Sequence, residues 1–204
     1  MKTLHGSLLR SLLAVVVALA GLTVPVAVTA SSAQAASICS AKFGSDWNVG
    51  DQAHWWGAAA AGRAAEHRMV IDIKGPSTAD GTQAHIWHWY DGDSQKWCLH
   101  KKTWADGSVS YLWRNYYSGK CLRAWGATAN GTLVKQKTCS TSDTYQLWDQ
   151  DYLGTVKTPG GTADGYQWRL VNTNQCLDVQ GQGTTDGVLL QLWGCKGGGN
   201  QAFY

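Results

Sequence analysis

The sequence predicts an all-β domain made of three copies of one unit, closed around a pseudo-threefold axis and preceded by a short N-terminal arm. Three markers that recur in one register carry this reading. The first is Gln-x-aromatic: Gln95-Lys96-Trp97, Gln146-Leu147-Trp148 and Gln201-Ala202-Phe203, with aromatic positions 51 and then 55 residues apart. The second lies upstream: Val70-Ile71-Asp72-Ile73, Cys121-Leu122-Arg123-Ala124 and Cys176-Leu177-Asp178-Val179, whose first residues are also 51 and 55 apart. Between them sit Asp80-Gly81, Asn130-Gly131 and Asp186-Gly187, dipeptides that favour hairpin turns.

Each unit therefore reads as a short strand, an Asx-Gly turn, a short strand, a loop and a Gln-x-aromatic strand. The run Val188 to Trp193 (VLLQLW) is the plainest second strand. Ala58 to Glu66 has helix propensity, but Gly62 interrupts it. Three β units with no core of their own must bury one jointly, and closing them into a ring removes the exposed edges. The units span about 65–104, 105–153 and 154–204, after an arm over 36–64.

Composition narrows the function. Only 15% of the 204 residues are charged, against about 25% in an average domain. The formal charge of +3 is no basic excess for neutralising phosphates, so no nucleic-acid partner is expected. The 12 Trp and 8 Tyr argue against disorder. A single Glu, Glu66, argues against charge-laced helices or a coiled coil.

The first 35 residues read as a secretory signal. Lys2 and Arg10 precede the uncharged stretch Leu12 to Ala30, and Ala33-Gln34-Ala35 has the small-x-small pattern of a cleavage site. The alternative is a membrane anchor, since the apolar run approaches the ~20 residues needed to span. Pro25 and the Ala, Ser and Thr residues before Ala35 favour cleavage. Ile38 before Cys39 argues against a lipoprotein. Cleavage leaves 15 of the 17 basic residues against 14 acids, a nearly neutral secreted protein with no membrane span. Six cysteines behind an export signal suggest disulfides, and no Cys/His set has metal-ligand spacing.

The repeats resemble the ricin-type β-trefoil lectins, carbohydrate-binding proteins with three Gln-x-Trp units, here in a secreted, stand-alone bacterial form. The resemblance covers roughly Arg68 to Tyr204. It implies a β-trefoil fold. The stretches from Trp97 to Cys121 and from Trp148 to Cys176 exceed the family's usual length, and longer hairpins, one through Thr158-Pro159-Gly160-Gly161, would account for them.

Cys121 and Cys139 occupy the same repeat positions as Cys176 and Cys195, whereas the first unit has Val70 and Trp89 there. Paired loss implies bonds Cys121–Cys139 and Cys176–Cys195, each worth roughly 3 kcal/mol by the chain-entropy argument. Subtraction leaves Cys39 and Cys98, as an intramolecular bond, free thiols or an intermolecular bridge.

A sugar has wet rims and one apolar face, so its site needs an aromatic plate and a few oriented polar groups. The third unit carries the whole set that the resemblance implies. Asp178 would accept from two adjacent hydroxyls, and Trp193 would stack under the ring. Asn200 would donate to a hydroxyl, while Gln191 and Gln201 would support Asp178. Alternatively, Asp178 and Asn200 only tie turns and Trp193 is core. The first unit is partial: Asp72, Trp87 and Gln95 are kept, with His85 and Ser94 in place of Gln and Asn. His85 and His88 would face opposite sides of a strand, so no metal site is expected. In the second unit Arg123, Lys135, Lys137 and Tyr145 replace the sugar set, leaving a solvated surface or a contact for an anionic partner. Trp97, Trp148 and Phe203 read as core.

No catalytic motif is present, and the acids occupy turn or sugar-clasp positions, so the expected role is not enzymatic and needs no cofactor. The leading expectation is a secreted lectin for galactose-type or xylan-type glycans, acting mainly through the third unit. It stands alone or pairs with a separate secreted enzyme. The other is a trefoil turned to protein binding, such as a protease inhibitor or adhesion factor.

Overall fold

The computed structural model describes residues 38–47, 68–158 and 160–204. The signal segment 1–35, Trp55, Trp56, the Ala58 to Glu66 stretch and Pro159 lie outside them. A six-residue helix, α1 (Ile38–Phe43), is followed by strands β1 (Met69–Ile73), β2 (Ala84–His88), β3 (Trp97–Thr103), β4 (Val109–Asn115) and β5 (Cys121–Ala124). The rest are β6 (Val134–Lys137), β7 (Trp148–Thr158), β8 (Gly161–Leu170), β9 (Gln175–Val179) and β10 (Leu190–Gly194). Three short hairpins, β1–β2, β5–β6 and β9–β10, repeat along the chain. Two longer hairpins, β3–β4 and β7–β8, occupy the two stretches between repeats.

The Asx-Gly turns serve a second purpose beyond reversing the chain. Gly81, Gly131 and Gly187 hold φ of +86°, +82° and +81°, a left-handed conformation that glycine adopts without a Cβ clash. Each turn then bonds to the second strand of the next repeat. Gly81 N–H donates to Gln136 O (2.8 Å) and Gln136 N–H to Thr82 O (2.9 Å). Gly131 with Leu192, then Gly187 with Ile86, repeat the exchange at 2.7–2.9 Å, the return bonds going to Thr132 O and Val188 O. The turn side chains join in: Asp80, Asn130 and Asp186 accept from the backbone N–H of Thr138, Gly194 and His88 at 2.9, 2.8 and 2.7 Å. The cycle runs first to second, second to third and third back to first. At its centre the Gln83 amide donates to Val134 O (2.9 Å) and lies 3.4 Å from Leu190 O, touching all three hairpins.

The three Gln of the Gln-x-aromatic motif are clips. Gln95 donates to His88 O (2.9 Å) and accepts from Tyr90 N–H (3.0 Å). Gln146 holds Thr138 and Ser140 in the same way, and Gln201 holds Gly194 and Lys196. All three are fully buried, with both amide ends paired as burial requires. The sequence reading placed glutamine and aromatic on one strand. In the structure each Gln ends a 3-10 turn (Asp93–Gln95, Thr144–Gln146, Gly199–Gln201), and the aromatic follows in extended chain. The turn is what lets the amide reach back to the preceding strand.

Trp97, Trp148 and Phe203 are fully buried in the shared core with Ile71, Leu122, Leu177 and their neighbours. The indoles also anchor: Trp97 Nε1 donates to Ile71 O (3.0 Å) and Trp148 Nε1 to Leu122 O (3.3 Å). Trp113 and Trp168, unassigned from sequence, meet edge to face at the core centre, 4.5 Å between rings. Disulfides join Cys121 to Cys139, Cys176 to Cys195 and Cys39 to Cys98. The last ties the arm to β3, where Phe43 and Trp47 pack beside Tyr116 and His100.

Trp148→Ala should cost about 3–5 kcal/mol in denaturant unfolding, through a cavity and lost burial. A second test concerns acid. The hydrogen bond from Lys120, outweighing the opposing effect of burial, holds Asp80 below the usual carboxylate range. With the folded value below the unfolded one, its stabilisation is complete above the unfolded pKa and lost as pH falls through the folded one. Asp80→Asn should therefore lessen the drop in Tm between about pH 5 and pH 2.

Candidate functional site

In the third repeat, the β9–β10 pairing sets Asp178 opposite Gln191, and Trp193 lies two residues further along β10. Asp178 is 1% exposed, a carboxylate that needs partners. Three amides supply them: Gln191 Nε2 to Oδ1 at 3.0 Å, Asn200 Nδ2 to Oδ2 at 2.6 Å and Gln201 Nε2 to Oδ2 at 3.0 Å. A carboxylate offers about four acceptor positions, so roughly one remains, on Oδ1. That is one fewer than the two hydroxyl contacts expected of it. Asn200 likewise spends an amide hydrogen on Asp178, which leaves its carbonyl oxygen to accept. Trp193 is 40% exposed, a plate at the surface and not core. Asp178, Gln191, Asn200 and Trp193 line a cavity of about 240 Å³ with Gly181, Gln182 and Lys196, and Gln201 supports Asp178 from behind it.

The first repeat is built on the same register, Asp72 facing His85 across β1–β2. Its cavity is larger, about 560 Å³, and includes Trp87, Tyr90 and Lys74. Asp72 is buried and accepts from Ile73 N–H (2.7 Å) and Tyr90 O–H (3.4 Å). His85 is buried and stacks on Trp87, rings 5.2 Å apart. Its Nε2 is 3.7 Å from Asp72 Oδ2 and has no hydrogen-bond partner. Where the third repeat gives its carboxylate three amides, the first leaves a buried ring nitrogen without a hydrogen-bond partner. Tyr90 bonds to Ser94 (2.8 Å), and burial pushes the phenol above its ordinary range, so it remains protonated. Gly92 packs beneath that ring, where a Cβ would come within 2.1 Å of it. Gln95 holds the chain on either side of Trp89 and does not touch Asp72.

The second repeat is occupied by its own ion pair. Arg123 Nε donates to Asp143 Oδ2 (2.8 Å), and its guanidinium lies 4.9 Å from the centre of Tyr145. Lys135 sits 5.2 Å from the centre of the exposed Trp125. Asp143 cancels one charge, so the expected trio of cations reduces to Lys135 and Lys137.

Residues 45–137 match the family described as ricin-type beta-trefoil lectin domain-like. The fold is a β-trefoil, and over those residues the chain is similar to that family. Among similar solved structures is ThreeFoil, a designed threefold-symmetric protein, 25% identical over 73% of this chain and 94% of that one, with a TM-score of 0.60. The ricin B-like lectin of Macrolepiota procera, solved with lactose, is 20% identical over 73% of this chain and 91% of its own, TM-score 0.52. An exo-β-1,3-galactanase from Clostridium thermocellum matches over 73% of this chain but 29% of its own, at 22% identity and TM-score 0.55.

In the third repeat the fold brings Gln191, Asn200 and Gln201 to the Asp178 carboxylate and sets Trp193 on the wall of the same cavity. In the first repeat it gathers Asp72, His85 and Trp87 and leaves Gln95 aside. Sequence reasoning missed Tyr90 and Lys196, which hold corresponding places five residues before Gln95 and Gln201; that spacing was the available signal. Gln182, at a positive φ of 56° on the cavity rim, carried none.

Asp178→Ala removes the acceptor from three buried amides at once. It should lower the unfolding free energy by about 1–3 kcal/mol, and Asp178→Asn should be milder, both read by chemical denaturation.

Proposed function

We propose that the protein is a secreted, non-enzymatic lectin that holds neutral pyranose sugars of the galactose or xylan type in its third and first repeats. The single observation that carries this reading is the Asp178 carboxylate, oriented by three amides beside an exposed Trp193. The open acceptor position takes a hydroxyl proton in a charge-assisted hydrogen bond. The indole covers the apolar face of the ring, and Asn200 accepts from a neighbouring hydroxyl. In the first repeat Trp87 is the plate, and Tyr90 and Lys74 on the cavity wall are the additional polar contacts. Two modest sites on one molecule suit a glycan with repeated units, since the second contact gains from effective concentration. The protein would act alone or beside a separate secreted enzyme. The lactose bound to the Macrolepiota lectin supports a galactose-type ligand, and the likeness to the galactanase supports a polysaccharide.

The second reading, a protein-binding or adhesion trefoil, rests on the second repeat. Its site is filled by Arg123 and Asp143, and Trp125 is exposed beside Lys135.

A glycan array separates the two. The wild type should bind galactose- or xylose-containing glycans. Trp193→Ala should weaken binding about tenfold or more, from lost ring contact, and Trp193→Ala with Trp87→Ala should abolish it. A wild type that captures no glycan above background would sink the lectin reading. An unchanged Trp193→Ala signal would sink the site assignment.

A further inference from the structure

The internal repeat supplies its own control for one arginine. Arg114 on β4 and Arg169 on β8 hold corresponding positions: each pairs across the sheet with the first cysteine of the following repeat, Cys121 or Cys176. Arg169 is neutralised. Its guanidinium lies 3.3 Å from Asp149 and 3.2 Å from Asp151. Arg114 has no carboxylate within ion-pair distance among the described residues. The place corresponding to Asp149 is Cys98, opposite Arg114 on β3, and it is used to anchor the arm.

The arm brings aromatic rings in place of acids. The Arg114 guanidinium lies 4.1 Å from the centre of Phe43 and 5.0 Å from that of Trp47. Its Nε donates to Gly119 O at 2.8 Å. That bond and the rings orient the group, and among the described residues its two terminal nitrogens meet no hydrogen-bond acceptor. The electrostatics of the twins diverge accordingly. Burial pulls Arg114 down from the usual arginine range, whereas the Asp151 hydrogen bond raises Arg169. A partly buried guanidinium without a counter-ion is unfavourable unless something anionic joins it.

Arg114 borders a cavity of about 650 Å³, walled also by Trp47, Lys120, Ser118, Ser140 and Thr141, with no carboxylate in its lining. Lys120 also lines the cavity, but Asp80, 3.0 Å away, balances its charge, so Arg114 is the cation the cavity offers. We infer that this cavity between the N-terminal arm and the second repeat binds the oxyanion of an acidic saccharide, a carboxylate or a sulfate ester, with Arg114 as the forked donor. Trp47 lies beside the sugar ring that carries the charge, and the Ser and Thr hydroxyls meet its remaining polar edge. The site is separate from the neutral-sugar sites and does not depend on them.

The test uses the full chain and follows the Trp47 indole N–H signal by NMR while inorganic sulfate, glucuronate or glucose is added at millimolar concentration. Sulfate, glucuronate or both should shift that signal, and glucose should not. Response to one anion alone identifies which oxyanion the cavity prefers. Arg114→Gln should weaken binding about tenfold or more. Arg114→Lys, which keeps the charge but loses the fork, should fall between. Raising NaCl should weaken binding in the wild type. Asp178→Asn should leave the response intact, so a failure of the neutral-sugar reading is recognisable as such. No shift with either anion, or equal binding by a folded Arg114→Gln and the wild type, would overturn the inference.

Discussion

The exchange of backbone hydrogen bonds between each Asx-Gly turn and the second strand of the next repeat is the constraint on which the rest of the structure depends. A two-stranded hairpin of four or five residues is marginal in water. Here three such hairpins support one another, because the edge of each is paired by the turn of its neighbour. The turn must have a left-handed glycine for its N–H to point at the next strand, and an Asx side chain to accept the following one. Three repeats close the cycle so that no hairpin is left as a free end. The core indoles lie beneath this ring, and two of them donate to backbone carbonyls of the first strands, so burial and register reinforce each other.

The sites inherit their geometry from that ring and from the glutamine clips. A buried carboxylate such as Asp178 needs hydrogen-bond donors around it, and Gln201 is present there already because it pins the end of β10. One residue thus serves the fold and the carboxylate together. In the first repeat the corresponding Gln95 keeps only the structural role, and Tyr90 and His85 take over beside Asp72. In the second, Arg123 reverses the charge at the acid position, and Asp143 reaches across to cancel it. The scaffold is the same in all three. The chemistry differs because each position presents its side chain to a separate cavity.

Much of this was legible in the sequence because it is local or periodic. The spacing of Gln95, Gln146 and Gln201 located the repeats, and the shared absence of two cysteines in the first repeat pointed to which cysteines bond. Adjacent turn dipeptides announced the hairpins, since Asx-Gly prefers one backbone shape regardless of context. The third-repeat residues stood out together because all five matched a pattern. Less legible was the extended reading of Gln-x-aromatic: the glutamine leaves the strand because its amide must reach back to the chain beyond β2, β6 or β10, and no local propensity encodes that distance. The place of the Trp55-Trp56 pair falls outside the residues described.

The sequence by itself therefore determined the number of repeats, the hairpin positions and the residue types available at each candidate site, since these follow from periodicity and turn chemistry. Only the tertiary structure decided how those residues are used. It set three amides on Asp178 and left one acceptor position. It left His85 Nε2 buried without a hydrogen-bond partner beside a cavity larger than the third repeat's, joined Arg123 to Asp143 and placed Gln83 among three hairpins. It also separated Arg114 from Arg169, one stacked on the arm and the other held by two carboxylates. The physical reason is the same each time: a polar group's role depends on which partners reach it, and those partners lie tens of residues away along the chain.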